Sequence, residues 1–450
     1  MRVKSLVEAQ WLKLSLEVIQ LLERMEKGFT VLVLLLSTGA FLTLQGVQPE
    51  SAGFIEPAQE GNSISRFIWL GVYVVTLSLV AVRWRRFVYA DLRSRRLLLL
   101  MALLLLLLVG LAFASILWSA APEVTLRRSI ALMGTTVIGI YFAMRYSLGE
   151  QLRLLAWALG IAALLSLLFA LALPSYGISS GEHEGAWKGI FDHKNTFGRI
   201  MALSALVFLL LGVRGSGYHR VAWASFFGLS VGLLLLSDSK TAQVIFLALL
   251  VLVPLCNVLR WRLTWAVSLP IALGLVGGGL AALLLYNVEV VLGFVGRDAT
   301  LTGRTQLWAA VLEMIRESPW LGYGYGAFWR GWEGESAYVW YVSFRSPHAH
   351  NGFLDLWLDL GLLGILVFVL GFLTSSLRAM VWVRSTRTAE GFYPLIILAF
   401  IFLSNFSQSA ILGRNSLYWI LYVAVAFSIF VPHGRRVKTG RSDSIPSRSY

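Results

Sequence analysis

"LLLLMALLLLLLVGLAFASIL", residues 97–117, runs for twenty-one residues without a charge. As an α-helix that length rises about 30 Å, the thickness of a bilayer's hydrocarbon core. Six arginines crowd into residues 83–96 just ahead of it, as expected where a span leaves the cytoplasmic side. The pattern recurs along the chain. Its 450 residues are 57% hydrophobic and 14% charged, with a mean hydropathy of +0.73, whereas a soluble domain is roughly half apolar. Twelve spans can be drawn, in 30–46, 67–82, 97–117, 128–143, 153–173, 198–213, 221–237, 241–258, 263–286, 352–374, 392–410 and 416–431. The fold class is an all-α polytopic membrane protein with about twelve transmembrane helices.

Charge orients it. With the amino terminus inside, 25 lysines and arginines fall on the inner side and 13 on the outer, which places both termini in the cytoplasm. The net charge of +14 is thus a topology signal and a contact with anionic lipid, and nucleic acid is excluded as a partner. No internal repeat of the transporter kind is visible. The lone Cys256 builds no disulfide framework. Residues 1–28, with Val3, Leu6, Val7, Trp11, Leu14, Val18, Leu21 and Leu22 at helical spacing, predict a cytoplasmic amphipathic helix on the membrane surface, and no signal peptide. Residues 29–431 form the transmembrane domain, and 432–450 read as a disordered basic cytoplasmic tail.

One outer segment is large: residues 287–351, between spans nine and ten. A second, 174–198, is also long, and together they hold four of the six histidines (His183, His193, His348 and His350). Polar chemistry therefore gathers on the outer face. In "SPHAHNGFLDLWLDLGLLG" (346–364), Ser346 and Pro347 fit a helix N-cap and first turn. That would set His348 and His350 in the first turn, where positive potential keeps imidazole neutral and fit to act as a base. On a helix, positions two apart diverge by about 200°, so a metal pair is disfavoured. The alternative is plain interfacial decoration. Arg304 opens a helical pattern (Leu307, Val311, Met314, Ile315) and offers a donor fork suited to phosphate, or else snorkels to headgroups. Lys240 is the basic residue of a short turn in "LLLLSDSKTAQVIF" (233–246), and "GIFDHKNTFG" (189–198) adds Lys194 and Asn195. "GYGYG" (322–326) lacks a following GK[ST], so its glycines suggest a tight turn rather than a phosphate loop.

The blocks "LTGRTQLWAAVLEMIRESPWLGYGYGAF" (301–328) and "SPHAHNGFLDLWLDLGLLG" resemble the bacterial O-antigen ligase and polysaccharide polymerase superfamily, within it the ExoQ-like exopolysaccharide polymerases. "SILWSAAPEVTLRRSIALMGTT" (115–136) and "GIFDHKNTFG" are similar to that subgroup too. The core of the likeness is about 230–370. The resemblance implies a metal-independent, inverting glycosyltransferase in the bacterial inner membrane, without a cofactor. Its donor would be an undecaprenyl-diphosphate-linked glycan, and its acceptor a hydroxyl of a glycan or lipid-anchored molecule. A flippase and a chain-length regulator are the implied protein partners. His350, with Asn351 and Leu354, matches the H-N-x-x-L motif and would be the catalytic base. Arg304 matches the Gly-Arg position and, with Lys240, would bind the diphosphate. His348, Asn351, Arg297, Lys194 and Asn195 remain possible substrate-binding residues. Ligases of the superfamily usually have Ser-Arg where this chain has Ser239-Lys240, which favours a polymerase over a lipid A-core ligase. A transporter of a small anion or of the lipid-linked glycan is the expectation from another class.

Overall fold

The computed structural model describes residues 2–40, 63–88, 92–258 and 304–430, apart from Phe344 and Arg387. Expected span 263–286, Arg297, the outer segment up to 303 and the tail 432–450 lie outside the described residues. Among those described, regular structure is helical, with one isolated bridge between Ile178 and Trp187. The longer helices are α1 (Arg2–Ser37), α2 (Ser63–Val88), α3 (Leu92–Ala114), α4 (Pro122–Arg145), α5 (Leu148–Ala172), α6 (Lys194–Arg214), α7 (Gly217–Leu236), α8 (Lys240–Val258), α9 (Arg304–Glu317), α10 (Gly352–Ser385), α11 (Tyr393–Ser404) and α12 (Leu417–Ser428).

Among the described residues six helices, α2, α3, α5, α6, α7 and α10, are long and apolar enough to cross a membrane. This is a multi-pass membrane protein, but six such helices are fewer than the twelve spans expected. Length is one reason: α11 and α12 have 12 residues each, about 18 Å of rise, short of a bilayer core. Both are largely buried within the bundle. Every residue of α12 is buried, and it lies so close to α4 that a Cβ on Gly139 would stand 2.6 Å from Val423 Cβ. Trp419 Nε1 donates to Thr136 Oγ1 across this contact at 2.9 Å.

The amino-terminal helix also differs from expectation. No break separates a surface helix from the first span; α1 is continuous to Ser37. Glu26, close to the start of the apolar stretch, is neutralised by its partners, accepting from Tyr141 OH at 2.9 Å and Arg145 Nε at 3.1 Å. That removes the electrostatic reason to stop the helix at the interface.

Connecting segments gather at two ends. At the first, Trp118 Nε1 donates to the Leu321 carbonyl (3.1 Å), Trp187 N to Leu236 O (3.0 Å) and Tyr325 OH to Leu412 O (2.5 Å). At the second, Glu26 meets Arg145, Gln151 donates to Ser428 Oγ (2.8 Å) and Arg378 to Ile429 O (3.2 Å). These are the two sets of loops that basic-residue counting assigns to opposite sides.

Helix α10 is interrupted at Gly361, whose φ is 64°. The Pro319–Gly326 segment fits into the break. Tyr323 N and Gly324 N donate to the carbonyls of Leu358 (2.7 Å) and Asp359 (3.1 Å), while Leu362 N donates to Pro319 O (2.8 Å). Backbone groups freed by the break are thereby paired, as an apolar setting requires. Gly322 turns at φ 67° to make this approach, so the glycines of "GYGYG" do serve a tight turn. A Cβ on Gly361 would fall 2.2 Å from the Trp320 carbonyl carbon. Gly361→Ala should therefore lower thermal stability in detergent by about 3 kcal/mol or more. Gly228→Ala, where an added Cβ meets nothing within 4 Å, should change it by less than about 1 kcal/mol. Equal effects would contradict the role of the break.

Candidate functional site

The histidines do not lie in a helical turn. Helix α10 starts at Gly352, and its cap is Asn351, whose Oδ1 accepts from Phe353 N (3.0 Å) and Leu354 N (3.3 Å). Ser346 and Pro347 are not its cap and first residue. Ser346 Oγ instead donates to the His348 carbonyl at 2.6 Å, closing a small turn. Contacts from elsewhere in the chain decide between the two starts. Gly352 N donates to Asn405 O (2.9 Å), and the approach is so close that a Cβ on Gly352 would stand 2.1 Å from Asn405 Oδ1.

The consequence is a tight loop holding both imidazoles. His350 adopts a left-handed φ of 50°, uncommon for a residue with a side chain. The loop is fixed at Ala349: its amide donates to Asp355 Oδ1 (3.1 Å) and Oδ2 (3.2 Å), and its carbonyl accepts from Trp308 Nε1 (2.8 Å). Asp355 also accepts from Trp329 Nε1 at 2.7 Å and from the Ser409 hydroxyl. The expected divergence of the two rings fails with the helix, for His348 and His350 lie edge to face with centroids 4.1 Å apart.

Hydrogen bonding separates the roles the two histidines can play. His348 Nδ1 accepts the His350 amide at 3.1 Å, so in its neutral form His348 carries its proton on Nε2 and presents a donor. His193 is set the same way: it caps α6, its Nδ1 accepting from Asn195 N at 3.0 Å. Both are neutral. Desolvation, with Arg199 and Arg304 nearby, holds His348 at about 4; desolvation and the neighbours His183, Arg199, Lys194 and Lys188 hold His193 at about 4. His350 is held lower still, by desolvation first and then by His348, Arg304, His193 and Arg199. The cause is thus mainly desolvation, not the helix end inferred from sequence.

These couplings show which expected residues converge. His348, His350, Asn351 and Arg304 form one group, Arg304 at the first residue of α9 with its charge bearing on both imidazoles. Lys194, Asn195 and Lys240 form a second. Asn195 Oδ1 accepts from Ser239 Oγ (2.9 Å), while Asp238 lies between Lys240 Nζ (2.9 Å) and Lys194 Nζ (3.6 Å). Lys240 is therefore ion-paired and half exposed, not a lone cation. The first turn of α6 links the groups through His193 and Arg199. Sequence inspection passed over Arg199, Asp355 and the capping role of His193. Arginine at a span's start reads as snorkelling, and histidine is not a favoured cap.

The arrangement presents a neutral imidazole beside arginines, a setting that can hold an anion and accept a proton. Comparison with known proteins agrees with its location. Residues 224–369 match the O-antigen ligase family model, a range that includes Lys240, Arg304, His348, His350 and Asn351. The chain is also 28% identical, over 344 residues, to the exopolysaccharide production protein ExoQ of Rhizobium meliloti (strain 1021), covering 73% of this chain and 77% of that protein. Residues 224–369 are thus similar to the O-antigen ligase family, within a longer likeness to ExoQ.

Proposed function

We propose that the protein assembles cell-surface polysaccharide in a bacterial inner membrane, transferring a glycan from undecaprenyl diphosphate to a hydroxyl acceptor at the outer face. One observation carries it: His350 lies within the electrostatic reach of Arg304 at the end of the bundle where the long loops gather, inside the family-matched range. The acceptor oxygen forms a bond to the anomeric carbon and gives its proton to His350. The bond from that carbon to phosphate breaks, its electron pair leaving on undecaprenyl diphosphate. Attack from the far side inverts the anomeric centre. Charge grows on the diphosphate as the bond breaks, and a preplaced arginine stabilises it without reorganisation. Arg304 and Lys240 supply that charge, and no metal takes part. A dianion beside Arg304 also offsets the positive potential at His350 and raises its basicity when donor is bound. Polymerisation of exopolysaccharide or O-antigen repeats is favoured, with flippase and chain-length regulator as partners. Ligation to lipid A core is the second possibility, supported by the family description itself.

Glycan transfer by the purified protein, with a chelator present, tests the roles. His350→Ala should cost about 10²- to 10⁴-fold in turnover, and His348→Ala considerably less. Arg304→Ala should remove most turnover, while Lys240→Arg should keep a substantial part. Wild-type-like rates for His350→Ala would remove the base; loss of wild-type turnover to the chelator would remove the metal-free mechanism.

The pH profile gives a separate check. A base whose pKa is depressed stays neutral and active as pH falls, and is lost only on passing the depressed value. The acid limb of kcat/KM, which reports free enzyme, should lie well below the 6.5 of ordinary imidazole. A limb centred at or above 6.5 would contradict His350 in this setting.

Sidedness follows from labelling. In a Cys256→Ser background, Tyr341→Cys and Tyr218→Cys, at positions 81% and 83% exposed, should differ in intact cells. An impermeant thiol reagent should reach the first and not the second; the reverse would overturn the outer-face assignment.

A further inference from the structure

Arg199 is 3% exposed, near the amino end of α6. Its Nε donates to the Asn195 carbonyl one turn earlier, at 3.1 Å. That bond folds the side chain back toward the helix start, where His193 and Lys194 stand. Of the five guanidinium N–H groups, four remain, and their two nitrogens bond no described residue. Nor are those nitrogens among the sealed, unsatisfied polar atoms of the interior. Among the described residues, no carboxylate forms an ion pair with Arg199. Asp192 is its nearest acidic influence, and desolvation pushes that carboxyl toward its neutral form. A buried cation so weakly compensated is strongly unfavourable.

Its position says what would compensate it. The Arg199 charge bears on His348, His350 and His193, and the first two also feel the charge of Arg304. Close packing fixes the helix start: a Cβ on Gly198 would meet Ser237 Oγ at 2.7 Å and Ser239 Cβ at 2.8 Å, which holds α6 against the turn bearing Lys240. We propose that Arg199 is a further diphosphate-binding residue, its remaining guanidinium N–H groups gripping phosphate oxygens beside the histidine loop. The assignment rests on the glycan-transfer function proposed above, and it makes α6, which lies outside the matched family range, part of the donor site. Arginine suits the task because the guanidinium keeps its charge when buried and can bind two oxygens at once.

The test is binding of inorganic pyrophosphate to the purified full-length protein in detergent. Thermal stabilisation is followed as a function of pyrophosphate, with sulfate at matched ionic strength as control. A second series replaces pyrophosphate with phosphatidylglycerol, to separate a diphosphate site from a lipid-headgroup site. Wild type should be stabilised by pyrophosphate more than by sulfate. Arg199→Gln should weaken that binding about 10- to 100-fold, as loss of a charged hydrogen-bond partner does. Arg199→Lys, which keeps the charge without the fork, should fall between, and decides the matter if the glutamine variant does not fold. Unchanged pyrophosphate binding in the folded Arg199 variants, with binding lost in Arg304→Ala, would overturn the role of Arg199 and leave the transferase function standing. No stabilisation of wild type would overturn both. An effect of Arg199→Gln on phosphatidylglycerol but not on pyrophosphate would overturn the diphosphate assignment in favour of a lipid headgroup.

Discussion

The carboxylate of Asp355 ties the histidine loop to the rest of the molecule. Its oxygens accept from the Ala349 amide, the Trp329 indole and the Ser409 hydroxyl, and so join three segments to the first turn of α10. Ala349 separates the two histidines, which means that Asp355 sets where both rings stand. The Asn351 cap and the Trp308 bond to the Ala349 carbonyl complete the restraint. A left-handed residue at His350 is tolerable only in such an overdetermined loop. Behind it, the break at Gly361 gives the Pro319–Gly326 segment a backbone partner in α10, so that α9, which carries Arg304, and α10, which carries the loop, are registered against each other.

The electrostatics of this end follow from low polarity. Desolvation disfavours imidazolium, and the arginines disfavour it further, so three histidines stay neutral beside fixed positive charge. The same surroundings strengthen the attraction of the arginines for an anion. A hydrogen-bond acceptor at Nδ1 gives His348 and His193 the donor tautomer.

The helical membrane class and the sorting of loops to two ends were legible in the sequence. Runs such as 97–117 and the short H-N-x-x-L block carry their information locally. What was misplaced depended on distant partners. Ser346-Pro347 and Asn351-Gly352 are both acceptable helix starts; Asn405 and Asp355 choose the second. At α11 and α12 the helices are shorter than the apolar runs that mark them in the sequence, and an apolar run reads alike whether it faces lipid or fills a protein interior. Arg199 gave no local sign of burial, and the pairing of Lys240 with Asp238 was not read from the short turn that holds both.

The central claim is that a lipid diphosphate is held by arginines beside His350. Its most direct test is an electron cryomicroscopy structure of the protein in a lipid nanodisc with undecaprenyl diphosphate bound. The account predicts diphosphate oxygens within hydrogen-bond reach of Arg304 and Arg199, with the His350 ring beside the bound diphosphate. A diphosphate seated where neither arginine reaches it, or on the far side of the bundle from the histidine loop, would contradict it.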